Sequence, residues 1–368
     1  MIKKEVIMMK IITVTCLRAK NYGAVLQAFA LHKKLQELGF DNYLLDYPYE
    51  NSIYEKIRLN SIKNCLITIY INLNSFIRRK KMHNLTENFS EFVSKNIQLT
   101  KCYENSKDLD INAPEADIYL TGSDQVFSPS NNEFYNKMRF LDFGDKKTKR
   151  VSYAASVGNY TLTDQEKEYV INNLTNFSTL SIRESTGINY FESFFPHTYF
   201  NHIDPIFLLL KENWEKYCVP INEGRYILVF PLLGNKLMQQ TIDEIKKKSN
   251  LKVISVQTRS DKIIKADKYI FDATPFEFLS YIKNADYVLT TSFHGTAFSI
   301  LLEKEFYTLI KEYRPQRMEC LLKLVGLENR LVKDKFVFQD KIDYTPIRKK
   351  IDEERSKAID YLKGFLKK

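Results

Sequence analysis

Two rhythms of apolar residues alternate along this chain. Short β-branched runs such as Ile11–Cys16 suit strands buried on both faces, whereas Ala24, Ala28, Leu31, Leu35 and Leu38 recur at helical spacing before Gly39, a helix-stop glycine. Tyr43–Tyr47 then reads as a second strand, so strand, helix and strand fit within about 35 residues. That is a βαβ unit, with a right-handed crossover. The alternation returns at Asp117–Thr121, Arg150–Ala155, Ser178–Arg183, Tyr226–Phe230, Lys252–Val256 and Tyr287–Thr291, with helical patterns notably at Pro275–Lys283 and Thr296–Leu302. The pattern predicts an α/β protein with open parallel sheets, which bind ligands at the carboxyl ends of their strands.

The polar stretch Lys211–Gly224, with Pro220 and Gly224, is the expected boundary between two α/β halves, 1–215 and 222–345. A helix over 346–368 follows, with Thr345 as its cap and Pro346 at its first position. Ile347, Ile351, Ile359, Leu362 and Phe365 share one face, so the helix is expected to pack back on the body. A cleft between the halves is the natural place for a site.

Composition narrows the class. Of 368 residues 44 % are hydrophobic and 27 % charged, with only 11 glycines and 10 prolines, which excludes disordered, collagen-like and low-complexity chains. Five cysteines without a C-x-x-C pair, and five histidines without H-E-x-x-H, indicate neither a disulfide framework nor a metal centre. No secretory leader is legible at the N-terminus, so a cytoplasmic protein is expected. The net charge of +10 suits phosphorylated ligands, an anionic membrane surface or nucleic acid. No nucleic-acid module is recognisable, so a nucleic-acid partner is not expected. Residues 56–81 carry seven positive charges and no acid around the apolar run Cys65–Leu73, which is too short to span a bilayer. That segment is either a helix packed on the sheet with a solvated basic end or a peripheral membrane contact.

Four patterns carry candidate chemistry. In Ser292-Phe293-His294-Gly295-Thr296, a strand ends, a turn follows and an apolar helix begins, which places His294 where free N–H groups favour an anion. Gly122-Ser123-Asp124-Gln125 closes another strand, where Asp124 is a candidate base for a sugar hydroxyl or a helix cap. Asn21-Tyr22-Gly23 occupies the first strand-to-helix loop and matches no nucleotide fingerprint. Arg183, in Ser181-Ile182-Arg183-Glu184, is placed to grip a carboxylate or phosphate, or to pair with Glu184.

These patterns, with Ser152-Tyr153-Ala154-Ala155-Ser156 and Asp204-Pro205-Ile206-Phe207-Leu208-Leu209, resemble the polysaccharide pyruvyl transferase family in order and spacing. The resemblance implies two Rossmann-like domains in the GT-B arrangement, the first on the acceptor side and the second on the donor side. It implies transfer of the enolpyruvyl carbons of phosphoenolpyruvate to two hydroxyls of a sugar, giving a ketal in surface-polysaccharide synthesis, with no cofactor and no metal. By matching position, His294 and Asp124 are the expected catalytic residues. Arg183, Ser292, Gly295 and Thr296 are expected on the donor, and Asn21, Tyr22 and Gln125 on the acceptor. Where some members carry an arginine two residues before the motif histidine, this chain has Ser292. The missing charge is expected from Arg259, which follows a strand, ahead of Arg314 and Arg317. Galactose, ketalised at its 4- and 6-hydroxyls on a lipid-linked saccharide, is a chemically reasonable acceptor, with N-acetylmannosamine or glucose derivatives as alternatives. A nucleotide-sugar glycosyltransferase on the same scaffold is the alternative.

Overall fold

The computed structural model describes residues 8–48, 65–129, 132–158, 161–232, 234, 236–259, 262–310 and 316–366. The first half alternates β1 (Lys10–Val14), α1 (Tyr22–Glu37), β2 (Asp41–Asp46), α2 (Cys65–Asn96), β3 (Leu99–Cys102), α3 (Ser106–Asn112), β4 (Ile118–Thr121), α4 (Glu133–Arg139) and β5 (Lys149–Ser152). These strands form a parallel sheet in the order β3-β2-β1-β4-β5. After α5 (Asp164–Leu174), the pair β6 (Leu180–Ile182) and β7 (Tyr199–Asn201), separated by α6 (Ser185–Glu192), continues that sheet through single bridges at Val151–Thr179 and Ala155–Ile182.

A short helix, α7 (Lys211–Glu215), leads into the second half: β8 (Tyr226–Phe230), α8 (Lys236–Ser249), β9 (Lys252–Val256), β10 (Lys268–Ile270), α9 (Pro275–Asn284), β11 (Tyr287–Thr290), α10 (Phe293–Leu301), β12 (Glu305–Leu309), α11 (Gln316–Leu324), β13 (Leu331–Val332) and α12 (Tyr344–Lys363). Its sheet, also parallel, runs β10-β9-β8-β11-β12-β13. Both halves reverse direction beside their first strand, between β1 and β4 and between β8 and β11. In doubly wound sheets that reversal opens the crevice where ligands sit. β8 is buried along its whole length, as its unbroken apolar sequence requires of a strand covered on both faces.

Three apolar clusters hold the chain together. One lies under α4 and α5 in the first half, and another under α8 in the second. The third is continuous from β1, α1 and α2 through Trp214 into β8, α9, α10 and α12, and it joins the two halves. α1 is its centre: Tyr22–Leu31 are all buried. Tyr22 stacks on Phe278 with ring centroids 4.5 Å apart, and Phe29 meets Phe92, Trp214 and Phe276.

α12 returns to the first half, where Arg355 Nε donates to the Phe207 carbonyl at 2.6 Å and Tyr361 OH to the Ser152 carbonyl at 2.8 Å. Its cap is Asp343, two residues before the expected Thr345, and Asp343 accepts the N–H of Thr345. α10 begins at Phe293 rather than Thr296 because Ser292 serves as its cap, so His294 lies inside the first turn. The basic segment 56–81 is outside the described residues up to 64, and from 65 onward it forms the start of α2. Among the described residues, no helix is long and apolar enough to cross a membrane.

Candidate functional site

At the boundary of the halves lies Asp204, a fully buried carboxylate placed just before the 3-10 turn Pro205–Leu208. Its Oδ1 caps that turn, accepting from Ile206 N–H at 3.1 Å. Its Oδ2 accepts from Arg183 Nη1 at 2.6 Å and from Ser123 Oγ at 3.2 Å, and lies 3.5 Å from His294 Nε2. Burial alone would raise the carboxyl, but the His294 and Arg183 charges and the hydrogen bonds around it hold it well below the usual carboxylate range. Three loops at strand carboxyl ends, after β4, β6 and β11, thereby meet at one carboxylate.

Arg183 is buried as well. Nη1 is spent on Asp204 and Ser123, Nε donates to Glu184 Oε1 at 3.1 Å, and the guanidinium lies 4.1 Å from the centre of the Phe293 ring. Nη2 is also 3.1 Å from Glu184 Oε1, but without the alignment of a hydrogen bond. Three buried polar atoms of this cluster have no hydrogen-bond partner: Arg183 Nη2, Glu184 Oε2 and His294 Nε2. Native interiors rarely leave such groups unsatisfied, so these three atoms are candidates for contact with a ligand or water.

Beside the cluster a cavity of about 490 Å³ opens between the halves, lined by Arg183, Glu184 and Asp204 on one side and by Phe293, Gln316, Arg317 and Cys320 on the other. A second cavity, of about 400 Å³, belongs to the first half alone. It occupies the reversal point of that sheet, with Asn21, Asp124, Gln125 and Arg139 among its polar walls and Tyr47 and Tyr135 among its aromatic ones. Gln125 and Arg317 meet across the boundary: with its amide oxygen turned to the guanidinium, Gln125 accepts from Nη1 and Nη2, each at 2.9 Å.

Several expected residues take other places. Tyr22, expected on the sugar side, lines neither cavity; it is wholly buried in the shared core, and its hydroxyl donates to the Ala273 carbonyl at 2.9 Å. Thr296 is turned inward, bonded to the Ser292 carbonyl and to Thr308 Oγ1, and offers no group to a donor substrate. Ser292 caps α10 by accepting from Gly295 N–H at 3.4 Å, so part of the anticipated anion site is occupied by the helix's own cap. Gly295 packs against Thr290, which a Cβ there would strike. Arg259 is exposed after β9 and borders neither cavity. Arg317 stands in the cleft instead, and Arg314 is outside the described residues.

Asn21 and Asp124 do line the second cavity. Asn21 Oδ1 also caps α1 by accepting from Gly23 N–H, and Asp124, at φ 74°, accepts the N–H of Gln125 at 2.9 Å. Gly23 explains its own motif, since a Cβ there would overlap the His294 ring. The role of Asp204 is not readable locally: Asp-Pro signals a turn cap, while its partners lie 21, 81 and 90 positions away. Among the described residues no group of three or more His, Cys, Asp or Glu could hold a metal ion.

The family model for polysaccharide pyruvyl transferase matches residues 21–310. No protein of curated function matches the chain in sequence. An α-glucosyltransferase solved with UDP and a 13-mer DNA shares the fold at a TM-score of 0.51 and 10 % identity, covering 96 % of this chain and 95 % of its own. The UDP-GlcNAc 2-epimerase of Methanocaldococcus jannaschii aligns at a TM-score of 0.46 and 14 % identity over 93 % of this chain and 91 % of its own. That of Neisseria meningitidis, bound to UDP-GlcNAc, aligns at 0.46 and 14 % over 97 % and 93 %. The chain thus shares the fold of that glucosyltransferase, the GT-B arrangement of two α/β halves each built on a parallel sheet.

Proposed function

The chain belongs to the polysaccharide pyruvyl transferase family, and from that premise we propose that it moves the enolpyruvyl carbons of phosphoenolpyruvate onto two hydroxyls of a sugar to form a pyruvate ketal. The observation that carries this reading is Arg183 Nη2, a buried guanidinium nitrogen without a hydrogen-bond partner on a residue that lines the inter-domain cavity, with the His294–Asp204 pair next to it. A buried guanidinium with free N–H capacity favours an anion, and phosphoenolpyruvate offers both a carboxylate and a phosphate. Arg183, with Arg317 facing it from α11, holds the donor. His294 in its protonated form gives the proton to C3, and the Asp204 carboxylate beside its Nε2 keeps the ring in place.

The sugar occupies the second cavity against Asn21, Asp124 and Gln125, with Tyr47 and Tyr135 supplying apolar faces. Galactose suits the chemistry because its 4- and 6-oxygens close a six-membered ring. In surface-polysaccharide synthesis that acceptor is a lipid-linked saccharide at the inner membrane face, with the basic segment 56–81 as the contact. Reversing the charges at Arg78, Arg79, Lys80 and Lys81 without loss of liposome binding removes that last element.

The test is phosphate release from phosphoenolpyruvate by the purified protein with a panel of galactosides, and mass spectrometry of the sugar product. Release that depends on the sugar, and falls by about 100-fold or more in His294→Ala, is expected for loss of a general acid. Absence of release, with thermal stabilisation by a nucleotide sugar and none by phosphoenolpyruvate, would replace this reading with glycosyl transfer.

A further inference from the structure

Glu184 sits at the N-cap of α6, where a side chain ordinarily turns back to accept from its own helix. It makes no such bond. Its carboxylate points into the protein, 1 % exposed, with Oε1 on Arg183 and Oε2 without a hydrogen-bond partner. It also forms part of the wall of the inter-domain cavity. An unspent acceptor on Glu184 thus neighbours an unspent donor, Nη2, on Arg183.

The two call for different ligands. Ionised phosphoenolpyruvate brings only acceptor oxygens, which satisfy Arg183 and would repel Glu184. The sugar brings O–H groups, which satisfy Glu184. With the body of the sugar in the second cavity, a hydroxyl that reaches across into the inter-domain cavity would meet Glu184 Oε2 next to a donor held on Arg183.

We propose that Glu184 is the base that takes the proton from the sugar hydroxyl as it attacks; this rests on the pyruvyl-transfer reading. The hydroxyl O–H breaks, its oxygen bonds to C2, and the C2–C3 π pair takes the proton of His294 at C3. The phosphate leaves with the C2–O pair and carries away the proton held by Glu184. The second hydroxyl bonds to C2 and its proton returns to His294. Both side chains finish as they began: one hydroxyl proton is in the new methyl group and the other on inorganic phosphate. Asp124, whose Oδ1 already accepts from Gln125 N–H and which lines the other cavity, orients the sugar.

The test compares Glu184→Gln, Glu184→Asp and Asp124→Asn with the wild type in galactoside-dependent turnover and in thermal stabilisation by phosphoenolpyruvate. Glu184→Gln should melt like the wild type and keep its stabilisation by the donor, yet lose about 100-fold or more in kcat. Glu184→Asp should recover part of that loss. Asp124→Asn should raise the KM for the sugar more than it lowers kcat. Three outcomes overturn the proposal: Glu184→Gln turning over at nearly the wild-type rate, Glu184→Gln losing donor affinity with kcat intact, which would make it a support for Arg183, or Asp124→Asn alone abolishing kcat. A wild type that neither turns over nor binds phosphoenolpyruvate removes the pyruvyl-transfer reading, and this inference with it.

Discussion

The boundary between the two halves has two unlike sides. Around α1 it is a dry aromatic seam in which Tyr22, Phe29, Phe278 and Trp214 interlock and the Tyr22 hydroxyl has a partner. Around α6 and α11 it is a cavity edged by buried charges, several with atoms unsatisfied. The first arrangement stabilises; the second costs stability unless a ligand arrives. Their adjacency shows how the chain tolerates both, because the seam fixes the halves so that Arg183 and His294 meet around Asp204 without help from substrate. Local violations of good packing concentrate at function and are offset elsewhere.

The seam is broken most directly at Tyr22. Tyr22→Ala removes a stacked ring from the centre of the shared core, and urea unfolding should show a loss of about 3 to 5 kcal/mol. A loss under about 1 kcal/mol would mean that the halves do not depend on this contact.

Gly23→Ala sharpens the contrast, because Gly23 lies on α1 but faces the cluster. The new methyl group would collide with the His294 ring. Overpacking of this kind costs about 1 to 3 kcal/mol. Displacing the ring should reduce turnover far more than stability, by about 100-fold. Turnover and unfolding measured on the same preparation separate the two effects; proportional losses in both would show that the glycine serves the seam alone.

How much of this was readable beforehand depends on the range of each signal. Tyr226–Phe230 is legible to the residue because a central strand covered on both faces writes itself as a continuous apolar run, and Lys252–Val256 is legible through its β-branched Val253, Ile254 and Val256. The short edge strands β3, β7, β10 and β13 carry no such pattern and were not seen. His294 and Arg183 stood out through their places after strands. Tyr22 carries no local sign of its burial, which comes from β8 and α9, more than 200 residues away along the chain. α10 starts three residues ahead of the expected Thr296 for a local reason: the Ser292 hydroxyl closes the helix by accepting from Gly295 N–H. Asp204 was within a recognised stretch, but its importance appears only when Arg183, Ser123 and His294 converge on it.

His202 lies where the two regions touch, so it tests whether they titrate together. Its ring is held against Tyr153 and Tyr361, with Nδ1 2.8 Å from Ser181 Oγ, and the residue also borders the cavity. Burial lowers its pKa to about 4, against the opposing pull of Glu354 and with a smaller push from Lys357. The folded protein therefore keeps this imidazole neutral at pH values where the unfolded chain, with a pKa near 6.5, takes a proton. Since the unfolded state binds more protons in that window, stability falls as pH drops from about 6.5 towards 4. Between pH 7 and 5.5 the cost is about 1 kcal/mol. His202→Gln keeps a polar group near Ser181 but cannot titrate, so its unfolding free energy should fall less than that of the wild type over the same interval. Asp204, held far below the usual carboxylate range, stays ionised throughout and adds nothing to the slope there. Equal slopes for the two proteins would show that the folded protein does not keep the ring neutral in this interval.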